Sequence, residues 1–503
     1  MDRKIAWAQY GAEDLAKLEK ISADYKEYLD LCKTEREAIT YAVRALREHG
    51  YISVDEAREQ GVKLTAGTKL YAVNHKKAIA AFQLGRQPLE KGMNILGAHI
   101  DSPRLDVKQN PLYENENMAY LDTHYYGGIK KYQWVTLPLA IHGVVARKDG
   151  TVIDICIGEK DDDPVFVISD LLVHLSANQM QKNAATVVEG ENLDLLIANR
   201  PLSEDESLTK GEKELVKANV LKLLADTYQI AEEDFASAEL EIVPAGKSRD
   251  CGLDRSMILG YGQDDSVCAY TSLAAMLDVN DPEHTSCCLL VDKEEIGSVG
   301  ASGMHSLFFE NLVAELVALT TGAESDLKVR RALANSRMLS SDVSAGFDPL
   351  YPEVFEKRSS AFFGKGLVFN KFTGSRGKSG SNDADAEFLA KVRKVMDDGS
   401  VAYQFAELGK VDAGGGGTIA YIMAAYDMEV IDSGVSVLSM HAPWELTSKA
   451  DVYEAYKGYV AFITAMNNPI KCPAADRNSL WDIPFLYSKA EKCASVNIHK
   501  FGK

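Results

Sequence analysis

The sequence predicts an α/β fold, with a mixed central sheet flanked by helices and interrupted by an inserted β-rich block. Three observations carry this. Segments of helical period open the chain, and strand–helix alternation returns after residue 244. Several apolar strands end in His, Asp or Glu, at the strand ends where open α/β sheets place ligands. Between residues 108 and 244 the texture shifts to short β-branched runs split by turns. A chain of 503 residues exceeds one ordinary domain. We divide it into 1–107 and 245–503, two parts of one α/β unit, with 108–244 inserted between them.

Residues 13–31 carry Leu15, Leu18, Ile21, Tyr25 and Leu29 at helical spacing, and 35–49 repeats the pattern before Gly50 stops it. Residues 69–74 and 78–84 read as strands, and 94–100 is an apolar strand with a polar end. In the insert, 135–146, 151–157 and 165–168 read as strands, 169–179 as helix or loop, and 203–234 as an acidic helical stretch. Beyond it, the strands are 285–292, 335–342, 401–407 and 430–440. The helices are 300–319, 383–395, 417–426 and a closing one at 449–467.

Composition narrows the function. Against 55 Lys plus Arg stand 74 Asp plus Glu, a formal charge of −19. That is the wrong sign for a nucleic-acid partner. No apolar run approaches the length of a membrane helix, and the N-terminus lacks a signal-peptide core. Eight cysteines are too sparse for a disulfide scaffold, and Cys287-Cys288 sits in an apolar run. The expectation is a cytoplasmic protein with reduced, packed thiols.

Five clusters stand at or near strand ends. His99-Ile100-Asp101 places an imidazole and a carboxylate on one face of extended chain. An ordinary strand-end histidine satisfies the same string. Asp264-Asp265 puts two carboxylates side by side, which a cation would relieve and a helix cap would also explain. Glu294-Glu295 follows an apolar strand, so that one glutamate could bind a metal and the other serve as general base; a charged turn is the alternative. Ser341-Asp342 and Met440-His441 complete the set. Together, two histidines and three carboxylates at separate strand ends suit a pair of bridged divalent ions. Gly414-Gly415-Gly416-Gly417 lacks the Lys-Ser/Thr of a phosphate loop, and reads instead as backbone free to approach a ligand.

These strings, Gly97-Ala98-His99-Ile100-Asp101-Ser102-Pro103 and Ser439-Met440-His441 above all, resemble the M18 aminopeptidases, the aspartyl aminopeptidase family of the dinuclear zinc exopeptidase clan. The resemblance runs over nearly the whole chain. It implies that His99 and Asp342 bind one zinc, that Glu295 and His441 bind the other, and that Asp264 bridges them. Glu294 would be the general base and Asp101 the support of His99. A cis peptide is implied at Asp264-Asp265. The insert would be a lid and dimerisation domain whose His174 stabilises the oxyanion in a partner's site. Lys371, Asp348, Asp412 and Gly415 would lie near the substrate.

One departure concerns specificity. Asp348 stands where aspartyl-specific relatives carry a histidine, so cleavage broader than acidic N-termini is expected. The implied activity is removal of N-terminal residues from short peptides with a free N-terminus. The implied assembly is a dimer built into a tetrahedral dodecamer. Zinc is the expected metal, although Co or Mn accepts the same ligands. Two other readings stay open: a related dinuclear carboxypeptidase or deacylase, and a catalytically silent scaffold of the same fold.

Overall fold

Four strands without a single exposed side chain run parallel through the centre of a nine-stranded sheet. They are β1 (Met93–His99), β2 (Thr285–Val291), β3 (Arg337–Ser341) and β4 (Glu429–Gly434), in the spatial order β2-β1-β3-β4. β1 and β2 are largely apolar, as a parallel strand covered on both faces favours, whereas β3 and β4 also bury Ser, Asp and Arg. The flanks are mixed. Ala78–Gln83 pairs antiparallel with β2, and Leu367–Asn370 pairs antiparallel with β4. Because the central four are parallel, all four deliver their C-terminal ends to one edge. The computed structural model describes residues 5–203 and 214–466.

Helices cover both faces. Gln263–Leu277, hereafter α1, packs with Ala12–Leu31, Glu35–Glu48, Ala386–Asp398 and Lys449–Ala465 over one core that contains Leu96, Ala98, Val267 and Phe462. Phe308–Thr321, Asp326–Ala334 and Ala420–Ala424 cover the other, over Ile95, Leu289, Phe309 and Met338. The alternation of Ile95 and Leu96 between the two cores is the period of two expected of a strand.

A separate six-stranded antiparallel sheet draws all its strands from Arg104 to Pro244. It buries its own core around Trp134, Leu195, Phe235 and Ile242. Its first strand, Arg104–Asn115, begins ahead of the sequence boundary at 108, because Leu105 already packs in this core and pairs with Ile242. A third sheet of five short strands includes Ser436–Leu438 and Glu445–Ser448.

Several elements differ from the sequence reading. The strand expected over 430–440 is two, broken after Gly434, where a side chain would meet the Asp342 carbonyl at 1.8 Å. The helix expected from 300 starts at Phe308; residues before it form turns against the β2 end. Residues 169–179 contain no α-helix, only short turns at Val173–Leu175 and Gln179–Gln181. Residues 165–168 make isolated bridges rather than a strand. Within 203–234 the helix is Leu215–Tyr228, while 204–213 lie outside the described residues, as do Asn467, Cys472 and Cys493. The six described cysteines are free; Cys156 is exposed and Cys251 half-buried, so not all are packed. Among the described residues no helix is long and apolar enough to cross a membrane.

Candidate active site

The shared edge of the four parallel strands is where the sequence-predicted ligands meet. His99 ends β1, Glu294 and Glu295 follow β2, Asp342 follows β3, and His441 lies beyond β4. Asp264 sits in the irregular first turn of α1, and the Asp264–Asp265 peptide is cis. The Asp264 carboxylate faces two imidazoles at once. Its Oδ1 lies 3.2 Å from His99 Nε2, and its Oδ2 lies 3.3 Å from His441 Nε2. Asp342 Oδ1 is 4.0 Å from the first imidazole, and Glu295 Oε1 is 3.6 Å from the second. Two of the groupings close enough to hold an ion, His99–Asp264–Asp342 and Asp264–Glu295–His441, share one aspartate, and a third, His99–Glu294–Glu295, overlaps both.

Both imidazoles are held by their other nitrogen. His99 Nδ1 donates to the Asp101 backbone carbonyl at 2.9 Å, and His441 Nδ1 donates to the Gly128 carbonyl at 2.8 Å. In the neutral imidazole that a metal would require, this leaves the lone pair on Nε2, facing the carboxylates. Gly128 belongs to the inserted block, and a side chain there would lie 3.4 Å from His441 Nδ1.

The electrostatics ask for cations. Burial, then repulsion from neighbouring carboxylates, pushes Glu295 and Asp342 well above the usual carboxylate range. Burial would raise Asp264 too, but the His441 and His99 imidazoles, 3.3 and 3.2 Å from its two oxygens, hold it low. Burial and the nearby Asp264 and Asp101 push Glu294 up to about 7, against the lowering influence of His99. Asp264 Oδ1 and Glu295 Oε1 are buried without a hydrogen-bond partner. Orphaned carboxylate oxygens in a His/Asp/Glu cluster fit divalent metal ions.

Asp101 does more than the sequence reading gave it. Its backbone carbonyl orients His99, while its carboxylate accepts from the backbone N–H of Glu294 and of Glu295, both at 3.1 Å, and from the Tyr126 hydroxyl at 2.8 Å. Glu445 was missed altogether. Its carboxylate accepts from Asp264 N at 3.0 Å and from His441 N at 2.6 Å, tying the two ligand loops together. It also steadies His441, whose backbone is left-handed at φ 64. The only signal for it in sequence was an acid four residues past His441, which any surface loop could carry.

These residues open into a cleft of about 940 Å³, which Asp348 and Gly415 also line. Asp348 Oδ1 accepts from Leu350 N in a turn. Lys371 does not reach the cleft. Asn370 points into it, so alternation along the chain turns Lys371 into a neighbouring hollow, where it pairs with Asp383 at 3.4 Å. Asp412 is exposed in a turn and does not line the cleft. His174 is exposed in the Val173–Leu175 turn, and it too is absent from the cleft of its own chain. Around it Leu172, Val173 and Leu175 are 58%, 72% and 72% exposed.

Known proteins resemble this chain over nearly its whole length. A family model described as aminopeptidase I zinc metalloprotease (M18) matches residues 28–463. A probable M18 family aminopeptidase 1 from Clostridium acetobutylicum is 56% identical over 460 residues, 92% of this chain and 98% of the relative. The crystal structure of an M18 family aminopeptidase from Thermotoga maritima superposes with a TM-score of 0.87 at 44% identity, covering 92% of this chain and 99% of that one. A solved dodecamer of Saccharomyces mApe1 shares the fold, with a TM-score of 0.70 at 21% identity over 89% of this chain and 97% of its own.

Proposed function

The chain belongs to the M18 family of zinc metalloproteases and is an aminopeptidase, and from that premise we propose how its residues carry the reaction. Two divalent ions, zinc first, would be held by His99 with Asp342 and by His441 with Glu295, with Asp264 shared. The observation that carries this reading is the Asp264 carboxylate, whose two oxygens face different imidazoles at 3.2 and 3.3 Å. Bound there, the ions would supply Lewis acidity, making a water more acidic and polarising the scissile carbonyl.

Glu294 is the general base of this proposal. It takes a proton from the attacking water and returns one to the leaving amine; its carboxyl, pushed up to about 7, suits both directions near neutral pH. Asp101 is a positioning residue that holds the backbone of Glu294 and Glu295. Asp348 in the cleft supports acceptance of N-terminal residues other than Asp and Glu.

The block 108–244 is read as lid and dimerisation domain. Its exposed Leu172, Val173 and Leu175 support a self-contact that would carry His174 into a partner's cleft as an oxyanion donor. A closed tetrahedral dodecamer of such dimers, as the yeast relative's dodecamer invites, would admit short peptides and spare folded proteins.

The test is Glu294→Gln. Turnover of aminoacyl substrates is expected to fall at least about a hundredfold, the scale of a lost general base, with both metals still bound. Retention of more than about a tenth of the activity would remove Glu294 from this role, because no general base is so dispensable.

A further inference from the structure

The cleft has a second polar end that the metal ligands and the base leave unused. Asp432 lies on β4 and is 2% exposed. Its Oδ1 accepts from the Thr418 hydroxyl at 2.5 Å, and its Oδ2 has no partner. Asn370 is its register partner on the neighbouring strand, is 7% exposed, and has an unpartnered Oδ1. Thr373, 8% exposed, adds an unpartnered hydroxyl. All three line the cleft that holds Asp264, Glu294 and His441.

Register gives the separation from the ligands. Asp432 pairs with Ser340, two residues before Asp342. Two residues of strand rise and one strand spacing put the α-carbons of Asp432 and Asp342 about 8 Å apart. That is within the reach of a long side chain from a substrate residue whose backbone sits at the ligands. What waits at that end is a carboxylate oxygen without a donor, beside an amide oxygen and a hydroxyl that can also accept. A buried carboxylate oxygen with no partner is unfavourable until a donor or a cation meets it. Among the residues lining the cleft the only Lys or Arg is Lys130, exposed on the inserted block, whereas Asp348 and Glu353 add further negative charge. Burial without a counter-charge pushes the Asp432 carboxyl up to about 7. The methylenes of a long cationic side chain would lie along Leu408 and Val437, which also line the cleft.

We propose that Asp432, with Asn370 and Thr373, forms the subsite for the side chain of the substrate's N-terminal residue, and that it favours lysine and arginine over aliphatic and acidic residues. This rests on the aminopeptidase reading of the cleft and names its substrate class. Asp432 is a specificity residue here and has no part in proton transfer.

The experiment measures kcat/KM of the metal-loaded enzyme, in its native assembly, on Lys-, Arg-, Leu-, Asp- and Glu-p-nitroanilides. The expected order places Lys and Arg first and the acidic substrates last. Asp432→Asn should lower the Lys-to-Leu ratio by about 10- to 100-fold, the range of a lost hydrogen bond to a charged group. Asn370→Asp, which adds a carboxylate at the register partner, should raise that ratio and keeps the test open should Asp432→Asn fold poorly. A wild type that prefers Leu or Asp, an Asp432→Asn enzyme that loses all substrates equally, or an Asn370→Asp enzyme whose ratio falls would each overturn the subsite. Hydrolysis of none of the five would instead overturn the aminopeptidase reading, and the subsite with it.

Discussion

Replacing Asp101 by Asn separates two roles that one residue combines. The Asp101 carbonyl, which orients His99 at 2.9 Å, survives the change. The carboxylate does not. Its Oδ1 accepts from Glu294 N, and its Oδ2 accepts from both Glu295 N and Tyr126 Oη. An amide can keep its oxygen on only one side. The less costly orientation keeps the pair at Oδ2 and turns the NH2 group against the Glu294 N–H. One hydrogen bond to a charged acceptor is then lost, about 1.5–3 kcal/mol. At 1.36 kcal/mol per decade, a loss carried wholly by the placement of Glu294 lowers kcat/KM about 10- to 150-fold. Tyr126→Phe likewise removes one hydrogen bond to the charged carboxylate, about 1.5–3 kcal/mol, and should cost at most the same 10- to 150-fold. The assay is steady-state hydrolysis of Leu-p-nitroanilide alongside metal per subunit by atomic emission. If Asp101→Asn loses metal in step with activity, Asp101 acts through His99 and the argument for the Glu294 turn fails. Unaltered turnover at full metal content would refute it equally.

Other outcomes follow from other contacts. Mixing Glu294→Gln subunits with His174→Ala subunits, each inactive alone, should restore measurable activity, because a mixed dimer assembles one intact site; no recovery among demonstrably mixed dimers would leave His174 without a trans role. Arg104 is buried between Glu35, Asp106 and Glu241 at 2.8–3.1 Å, over the Tyr126 ring at 3.9 Å. Arg104→Ala strands those acids and should lose about 3–5 kcal/mol in denaturant unfolding; a loss under about 1 kcal/mol would show the cluster to be solvated after all, as surface pairs are. Burial would lower the pKa of His142, but its hydrogen bonds to Cys156, Glu159 and Glu37 outweigh that and push it up to about 11, from an ordinary 6.5. A raised native pKa means stability fully present below about pH 6.5 and lost as pH rises to about 11. The thermal advantage of the wild type over His142→Gln should therefore shrink across that window, and a constant or widening gap would contradict the assignment.

The parts of this site that were legible in sequence share a physical reason. His99, Asp342 and the Glu294-Glu295 pair end or follow buried parallel strands, and an apolar run that stops at a His or a carboxylate is visible without coordinates. Groups that act by accepting hydrogen bonds from Asp264 and His441 were not visible. Glu445 and the Gly128 carbonyl are set by three-dimensional approach, and nothing in their neighbourhoods marks them. Lys371 falls outside the cleft because a shift of one position along extended chain reverses the side chain, and Asn370 takes the inward place. The turn-rich stretch lies in a sheet of its own, but the start of that sheet was not marked, since Arg104 pairs with Tyr126 before the composition changes. The break after Gly434 was hidden because the alternation of Val435, Ser436 and Val437 continues a strand-like pattern beyond it.

The hydrogen bond from His441 to the Gly128 carbonyl bears on how this protein could be shortened or recombined. A deletion that spliced residue 103 to residue 245 would keep every acid and imidazole of the centre, and on paper would leave a complete minimal enzyme. It would also remove the acceptor that fixes which nitrogen of His441 faces inward and how its ring is turned. A trimmed core of this kind should bind its second ion weakly even when perfectly folded. Exchanging the insert for that of a relative should succeed only where the donor brings a glycine and its carbonyl to the same place. On the proposed reading the insert would be a part of the metal centre supplied from another sheet, and its replacement would belong with ligand engineering more than with the grafting of an accessory module.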